Sequence, residues 1–280
     1  MIPQKIYAVY FSPVESTKQI VCAVAETMAE EMSVDTDIPV EEIDFTLPAA
    51  REKTYRFAAD ELVIFGTPTY AGRVPNKILP FVQDLFSAEH TPAVSVVTFG
   101  NRSFDSSLTE LTEEMEKNGF QVFAAAAFAC RHVFSDKIAA GRPDEEDMDR
   151  VTAFAGVAAE KLLSADDAGS LTQPVILDGA PVAPYYTPLG IDGNPAVFLK
   201  AKPVTDPDRC IGCGVCAGRC PLGSIDFSDF TQTPGLCIKC HACIRLCPTG
   251  ARSFTDEAFL SHVAYLESHF TARKDGTTFF

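Results

Sequence analysis

The chain has 280 residues, of which 46% are hydrophobic and 22% charged, and this excludes a disordered chain and allows one large domain or two of ordinary size. The net charge is −15: residues 1–199 carry 14 Lys and Arg against 30 Asp and Glu, a balance of −16, whereas residues 200–280 carry nine against eight, a balance of +1. This balance excludes the basic face that nucleic-acid binding needs and favours a basic protein partner.

The first part of the chain alternates predicted strands and helices. We expect strands at 5–11, 41–45, 61–66, 93–100 and 119–129, and helices at 16–32, 76–86, 104–117 and 144–163. Five strands alternating with helices predict a parallel sheet covered by helices on both faces, which is an α/β domain over residues 1–164.

Three loops follow the ends of predicted strands, at residues 12–17, 66–75 and 100–105. In an open parallel sheet the ligand site lies outside the carboxyl ends of the strands, so these loops are candidate binding loops; the alternative is that they are ordinary connections. The first loop, SPVEST, precedes a helix, whose free N–H groups suit a phosphate. Glu15 lies in the middle of this loop, and its carboxylate opposes an anion only if it points inward.

The rest of the chain divides into three parts. Residues 165–202 are rich in Pro, Gly and Asp and predict a connecting segment across the surface. Residues 203–254 form a short, cysteine-dense domain. Residues 255–280 predict a helix over 255–270, followed by ten loosely ordered residues.

The ten cysteines indicate metal binding. No apolar run is long enough to cross a membrane and the N-terminus lacks a signal-peptide pattern, so we expect a cytoplasmic protein, in which clustered cysteines bind metal more often than they form disulfides. Cys22 and Cys130 lie apart from the others in predicted apolar elements, and we expect them in the core. The other eight occur in two copies of C-x2-C-x2-C-x3-C-P, CIGCGVCAGRCP (210–221) and CIKCHACIRLCP (237–248).

This repeat predicts two [4Fe–4S] clusters. Three closely spaced cysteines ligate one cluster, and the fourth, before the proline, ligates the other. We assign Cys210, Cys213, Cys216 and Cys247 to one cluster, and Cys237, Cys240, Cys243 and Cys220 to the other. The alternative is a pair of structural zinc sites, but zinc does not require three closely spaced cysteines and a Cys-Pro, twice.

Residues 203–254 resemble a bacterial ferredoxin with two [4Fe–4S] clusters. The resemblance implies single-electron transfer at low potential, with no substrate bonds made or broken at the clusters. We expect the small residues between the cysteines to let backbone N–H groups approach the sulfurs. We expect the imidazole of His241 to face solvent.

Residues 1–164 resemble the flavodoxin-like, FMN-binding fold. Ser12, Ser16 and Thr17 match the phosphate loop of that family, S/T-x-T-G-x-T, whereas Val14 replaces a hydroxyl residue and Glu15 the glycine. The resemblance implies that Tyr70 stacks on the flavin ring, Phe104 covers its other face, Asn101 reaches its polar edge and Arg102 compensates a reduced flavin. The full set of implied FMN contacts is Ser12, Ser16, Thr17, Thr67, Pro68, Thr69, Tyr70, Gly72, Gly100, Asn101, Arg102 and Phe104.

The whole chain is similar to bacterial fusions of a flavodoxin-like domain with a ferredoxin, a type found mainly in anaerobes. The implied function is low-potential electron transfer between two clusters, FMN and a redox partner protein with a basic docking surface. One alternative is a flavin-dependent reductase of a small substrate or quinone. Another is a flavin-free ferredoxin with a docking domain, an idea that Glu15 favours. No G-x-G-x-x-G motif follows a strand, so direct NAD(P)H binding has no support, and we assign no catalytic residue.

Overall fold

The computed structural model describes residues 1–33, 37–172 and 181–280. The larger domain consists of β1 (Lys5–Tyr10), α1 (Ser16–Met32), β2 (Val40–Asp44), β3 (Tyr55–Phe57), β4 (Glu61–Pro68), α2 (Leu79–Leu85), β5 (Phe86–Ala88), β6 (Thr91–Phe99), α3 (Ser107–Lys117), β7 (Phe120–Ala129) and α4 (Glu145–Leu163). The remainder consists of β8 (Val204–Thr205), α5 (Val215–Gly218), α6 (Ala242–Arg245), β9 (Arg252–Ser253), α7 (Glu257–His269) and β10 (Thr277–Phe279). Short 3₁₀ turns lie at Pro48–Arg51 and Ala168–Ser170.

The main sheet confirms the expected fold class. Its order is β10-β7-β6-β4-β1-β2, and the five strands other than β10 are parallel. In chain order these five strands are arranged 2-1-3-4-5, which is the order of flavodoxin-like doubly wound sheets. The carboxyl ends of the parallel strands therefore meet at one edge, where the three predicted loops begin.

Two hydrophobic clusters hold the sheet between its helices. On one face, α1 and α4 cover the strands with residues such as Ile20, Met28 and Phe154. On the other face, Phe65 and Phe86 pack with ring centroids 4.9 Å apart, beneath α2 and α3. All nine residues of β6 are buried, as expected for a central strand covered on both faces. Burying each large apolar side chain contributes about 1.5–3 kcal/mol.

The end of the chain differs from the sequence expectation. We expected ten loosely ordered residues, but β10 pairs antiparallel with β7 and makes a sixth strand. The side chain of Asn101 fixes the approach to this strand, because its amide nitrogen donates to the carbonyl oxygens of Phe270 (2.7 Å) and Ala272 (2.9 Å). These contacts join parts of the chain about 170 residues apart, so no local sequence pattern predicts them.

The cysteine-rich domain packs directly on the larger domain. Leu222 and Ile238 contact the hydrophobic cluster under α2 and α3. The buried guanidinium of Arg51 donates to the carbonyl oxygens of Phe45, Thr46 and, across the interface, Pro221. A short antiparallel pair, β8 with β9, closes the smaller domain. No helix in the described ranges has the length and apolar character to span a bilayer.

Candidate functional site

The eight repeat cysteines line two cavities, four to each. One cavity is lined by Cys220, Cys237, Cys240 and Cys243, and we call it the near cavity because Leu222 and Ile238, which contact the larger domain, also line it. The other cavity is lined by Cys210, Cys213, Cys216 and Cys247, and we call it the far cavity. Each cavity thus takes three cysteines from one repeat and the last cysteine from the other. Among the described residues, no group of three or more His, Cys, Asp or Glu side chains is arranged to hold a single metal ion.

Backbone N–H groups approach the sulfurs in the same way in both repeats. The N–H of Ser224 lies 3.3 Å from the Cys220 sulfur, and the N–H of Ala251 lies 3.2 Å from the Cys247 sulfur, in both cases four residues after the cysteine. Such donors stabilise a thiolate. Burial opposes ionisation of Cys247, but hydrogen bonds from Thr249 and from backbone N–H groups outweigh it and lower its pKa. The cysteine environments therefore fit an iron–sulfur cluster, whose ligands are thiolates.

The near cavity is the more buried of the two. Burial raises the pKa of the Cys243 thiol to about 12 and that of Cys240 further. A metal centre bound there would have to supply the free energy that ionises such thiols.

His241 is buried, and the expectation that it faces solvent is wrong. It is 6% exposed, stacks against Phe254 with ring centroids 5.1 Å apart, and packs at a tilt against Phe134 with ring centroids 4.8 Å apart. Burial lowers the pKa of His241 to about 3, so the ring is neutral. The sequence did not reveal this because Phe134 belongs to the larger domain.

A larger cavity of about 540 Å³ opens at the carboxyl edge of the sheet, within the range of small-molecule sites. We call it the sheet-edge cavity. Nine of the residues predicted to contact FMN line it: Ser12, Ser16, Thr17, Pro68, Thr69, Tyr70, Gly72, Gly100 and Arg102. The three predicted loops therefore meet around one space.

Three residues predicted to contact FMN do not line this cavity. Thr67 is buried inside β4. Asn101 holds the C-terminal tail as described above. Phe104 packs against Phe99, with ring centroids 5.5 Å apart, instead of covering a ligand. Loop position alone did not distinguish side chains that face the cavity from side chains that face the core or the tail.

The carboxylate of Glu15 does not line the cavity. Glu15 takes a left-handed backbone conformation, with φ 69°, which is the conformation that a glycine would adopt there readily. Its side chain forms an ion pair with Arg219 of the cysteine-rich domain. The loop beside it is organised by the N–H of Lys18, which donates to the Ser12 hydroxyl at 3.0 Å. The first turn of α1 thus faces a cavity free of the carboxylate, which fits a phosphate.

Tyr70 lines the sheet-edge cavity, within electrostatic range of two near-cavity cysteines. It begins a tight turn in which Ala71 and Gly72 have φ 50° and 78°, closed by the N–H of Tyr70 donating to Arg73 at 2.9 Å. Burial raises the pKa of the Tyr70 phenol well above its usual value, and the thiols of Cys240 and Cys237 raise it further. The ring is thus close to both spaces and stays neutral.

Residues 236–239 form a wall shared by the near cavity and the sheet-edge cavity. Cys237 belongs to this shared wall and to the predicted cluster ligands. Lys239 also belongs to it, and its Nζ donates to the carbonyl oxygens of Leu199 (2.8 Å) and Cys237 (3.2 Å). A ligand in the sheet-edge cavity is therefore separated from the near cysteines by little more than this segment.

Sequence reasoning missed a further part of the sheet-edge cavity. His132, in the loop after β7, lines it together with Tyr186, Phe198 and His262. The fifth parallel strand also ends at this edge, so the stretch ACRHVF at 129–134 carried a signal that the rule for strand ends would have found. The connecting segment carried none, although the N–H of Tyr186 is fixed to the Ala71 carbonyl at 2.8 Å.

The charged side chains that line the sheet-edge cavity are all basic, although the domain is acidic. Lys77, Arg102, Arg131 and Lys239 line it, and none of its described lining residues is Asp or Glu. Arg102 pairs with Asp105 and lies 4.0 Å from the ring centroid of Tyr186. This environment fits an anionic ligand with an aromatic ring.

A family model described as a 4Fe-4S binding domain matches residues 203–226 and 231–253. No curated protein matches the chain. Among solved structures, a flavodoxin from Archaea is 14% identical (57% of this chain, 99% of that chain, TM-score 0.37), and flavodoxin 2 from Bacillus cereus is 16% identical (56% and 99%, TM-score 0.41). Rubredoxin oxygen:oxidoreductase from Desulfovibrio gigas is 16% identical (59% and 38%, TM-score 0.36). These structural similarities are weak. The strand order and the family match identify a flavodoxin-like α/β domain joined to a 4Fe–4S binding domain.

Proposed function

We propose that this chain is a low-potential electron-transfer protein that relays electrons between a redox partner, two [4Fe–4S] clusters and an FMN. The shared wall at residues 236–239 is the observation that supports this most strongly. It brings a predicted cluster ligand, Cys237, to the surface of the cavity that fits the flavin. Proximity of this kind replaces a diffusive encounter between two carriers.

Each part of the site has a distinct role in this proposal. Bound clusters would carry one electron each, and bound FMN one or two. The two sets of four cysteines hold the clusters. Ser12, Ser16 and the first turn of α1 bind the phosphate, and Tyr70 lies against the ring.

The far cavity is the place where the partner approaches. Cys213, one of its four cysteines, is exposed, and Ile211 beside it is 68% exposed. The chain has a net charge of −15, and bound clusters and phosphate make it more negative. A partner with a basic surface therefore associates faster, and salt slows the encounter.

Cofactor content after anaerobic purification tests the proposal. We expect about eight iron atoms, about eight acid-labile sulfides and one FMN per chain, since each cluster contains four irons. Zinc in place of iron would contradict the cluster assignment. Eight irons with no flavin, even after incubation with FMN, would leave a ferredoxin with a docking domain.

A flavin-dependent reductase is the second candidate, because the sheet-edge cavity extends beyond the three predicted loops. The Nδ1 atom of His132 accepts the N–H of Phe134 at 3.2 Å, so its hydrogen is on Nε2. The Nδ1 of His262 lies 2.8 Å from the Leu189 carbonyl, so Nδ1 donates and Nε2 is an acceptor. These rings offer one donor and one acceptor to a small planar substrate. Anaerobic turnover of such compounds with a low-potential donor would support this candidate, and its absence would favour the carrier.

A further inference from the structure

Both cysteine repeats have a left-handed backbone at the same two positions, where the first repeat has glycine and the second does not. Gly212 and Gly214 of the first repeat have φ 68° and 73°, and their counterparts 27 residues later, Lys239 and His241, have φ 58° and 62°. The left-handed region favours glycine, because a Cβ atom crowds the backbone there. The second repeat therefore accepts backbone strain at Lys239 that the first repeat avoids, and such strain is characteristic of functional positions.

The side chain of Lys239 brings a positive charge to the shared wall. Its Nζ donates to two carbonyl oxygens, those of Leu199 at 2.8 Å and Cys237 at 3.2 Å. Within the described residues it forms no ion pair with a carboxylate, so its charge is not cancelled by a direct partner. It lines both the near cavity and the sheet-edge cavity.

The far cavity has no equivalent charge at this position, because its repeat has Gly212 there. Arg252 does not create the same asymmetry, since it lines both cysteine cavities. A positive charge stabilises a nearby group that gains an electron, and the effect is strongest at short range in a poorly solvated place.

We propose that Lys239 makes the near cluster and the flavin easier to reduce than the far cluster, and so directs electrons from the exposed far site towards the sheet-edge cavity. Lys239 acts only through the electrostatic effect of its positive charge and takes no part in the redox reaction itself. The inference rests on the proposed function, because it requires both clusters. Its cluster part does not require the flavin.

The test is an anaerobic redox titration that follows the clusters by electron paramagnetic resonance and the flavin by absorbance. Lys239→Gly reproduces the first repeat and relieves the backbone strain, so misfolding is not a concern, and Lys239→Met keeps the length without the charge. In both variants we expect the ratio of reduced to oxidised form, at fixed potential, to fall about tenfold for one cluster and for the flavin. For a one-electron couple this corresponds to a reduction potential lowered by about 59 mV. The other cluster should not change.

Two further variants serve as controls. One shows which of the two clusters responds to Lys239, and the other tests whether the loss of any positive charge has the same effect. Gly212→Lys should raise the potential of the cluster that Lys239→Gly leaves unchanged. Lys117→Met removes an exposed cation in α3 of the larger domain, whose Nζ donates to Glu114 at 2.8 Å, and should alter neither cluster.

Unchanged potentials in both Lys239 variants, or equal shifts of both clusters, would overturn the inference. A protein that loads clusters but no flavin would contradict the flavin part of the proposed function, while the cluster potentials still decide the inference. A protein that loads no clusters would contradict both.

Discussion

Glu15 and Arg219 form an ion pair across the boundary between the two domains, 204 residues apart in the chain. The carboxylate of Glu15 lies in the loop expected to bind phosphate, and Arg219 of the cysteine-rich domain draws it to the interface. The pair is half exposed, so it contributes only about 0–1 kcal/mol to stability. Its importance is that it keeps a negative charge out of the sheet-edge cavity.

The first prediction concerns this pair. Arg219→Ala frees the carboxylate, and we expect FMN affinity to fall about tenfold while the melting temperature changes little, since surface pairs contribute little stability. Isothermal titration of the apoflavin form measures the affinity. Adding Glu15→Gln to Arg219→Ala should restore it. An Arg219→Ala protein with wild-type affinity would show that Glu15 stays outside without help.

The second prediction concerns the turn after Tyr70. A Cβ atom at Gly72 would overlap the carboxylate of Asp105, and the backbone there has φ 78°. We expect Gly72→Ala to lower the free energy of unfolding by about 1–3 kcal/mol and to weaken FMN binding, because the turn lines the cavity. Gly141→Ala is the matched control, since Gly141 has φ 76° but no atom within 4 Å of the position that a Cβ would take. Equal losses in both variants would mean that backbone strain alone is responsible.

The third prediction separates two roles for Asn101. The resemblance to flavodoxin-like proteins implies a flavin contact, but the structure uses its amide to hold the C-terminal tail at Phe270 and Ala272. We expect Asn101→Ala to destabilise the protein by about 1–3 kcal/mol, because the carbonyl groups lose their donor. FMN affinity should remain within about twofold. A large loss of affinity with unchanged thermal stability would restore the flavin role.

Asn101 illustrates which parts of the structure local sequence patterns can predict and which they cannot. The helix over 16–32 was predicted at its observed bounds, Ser16–Met32, because apolar periodicity and burial agree there. The parallel sheet was predictable for the same reason. The partner of Asn101, the pairing of β10 with β7 and the ion pair of Glu15 were not, since each joins segments more than 140 residues apart.

In the candidate site, too, some features could be predicted from local sequence patterns and others could not. The grouping of the cysteines follows from their spacing, because the repeat itself specifies which cysteine crosses over. The contribution of Tyr186 and His262 to the sheet-edge cavity depends on how the connecting segment and α7 fold back over the larger domain, and their sequences contain no motif for it.

The fourth prediction concerns pH. Burial lowers the pKa of His132 to about 3, with smaller contributions from His262, Arg102 and Arg245, whereas an unfolded histidine titrates near 6.5. The folded state therefore binds fewer protons than the unfolded state. The stability that the neutral His132 ring contributes is present above pH 6.5 and is lost as the pH falls towards 3, by up to about 1.4 kcal/mol per pH unit. His132→Asn removes the titration. The difference in melting temperature between wild type and variant should narrow from pH 6.5 to pH 5, and a constant difference would contradict the neutral, buried ring.

The most direct test of the central claim is the rate at which bound flavin is reduced after a rapid one-electron reduction of the clusters, followed over a range of protein concentrations. Electron transfer across residues 236–239 predicts a first-order rate that does not depend on protein concentration, because donor and acceptor share one chain. A rate that rises in proportion to concentration would mean that electrons pass between molecules, and it would contradict the relay through the shared wall.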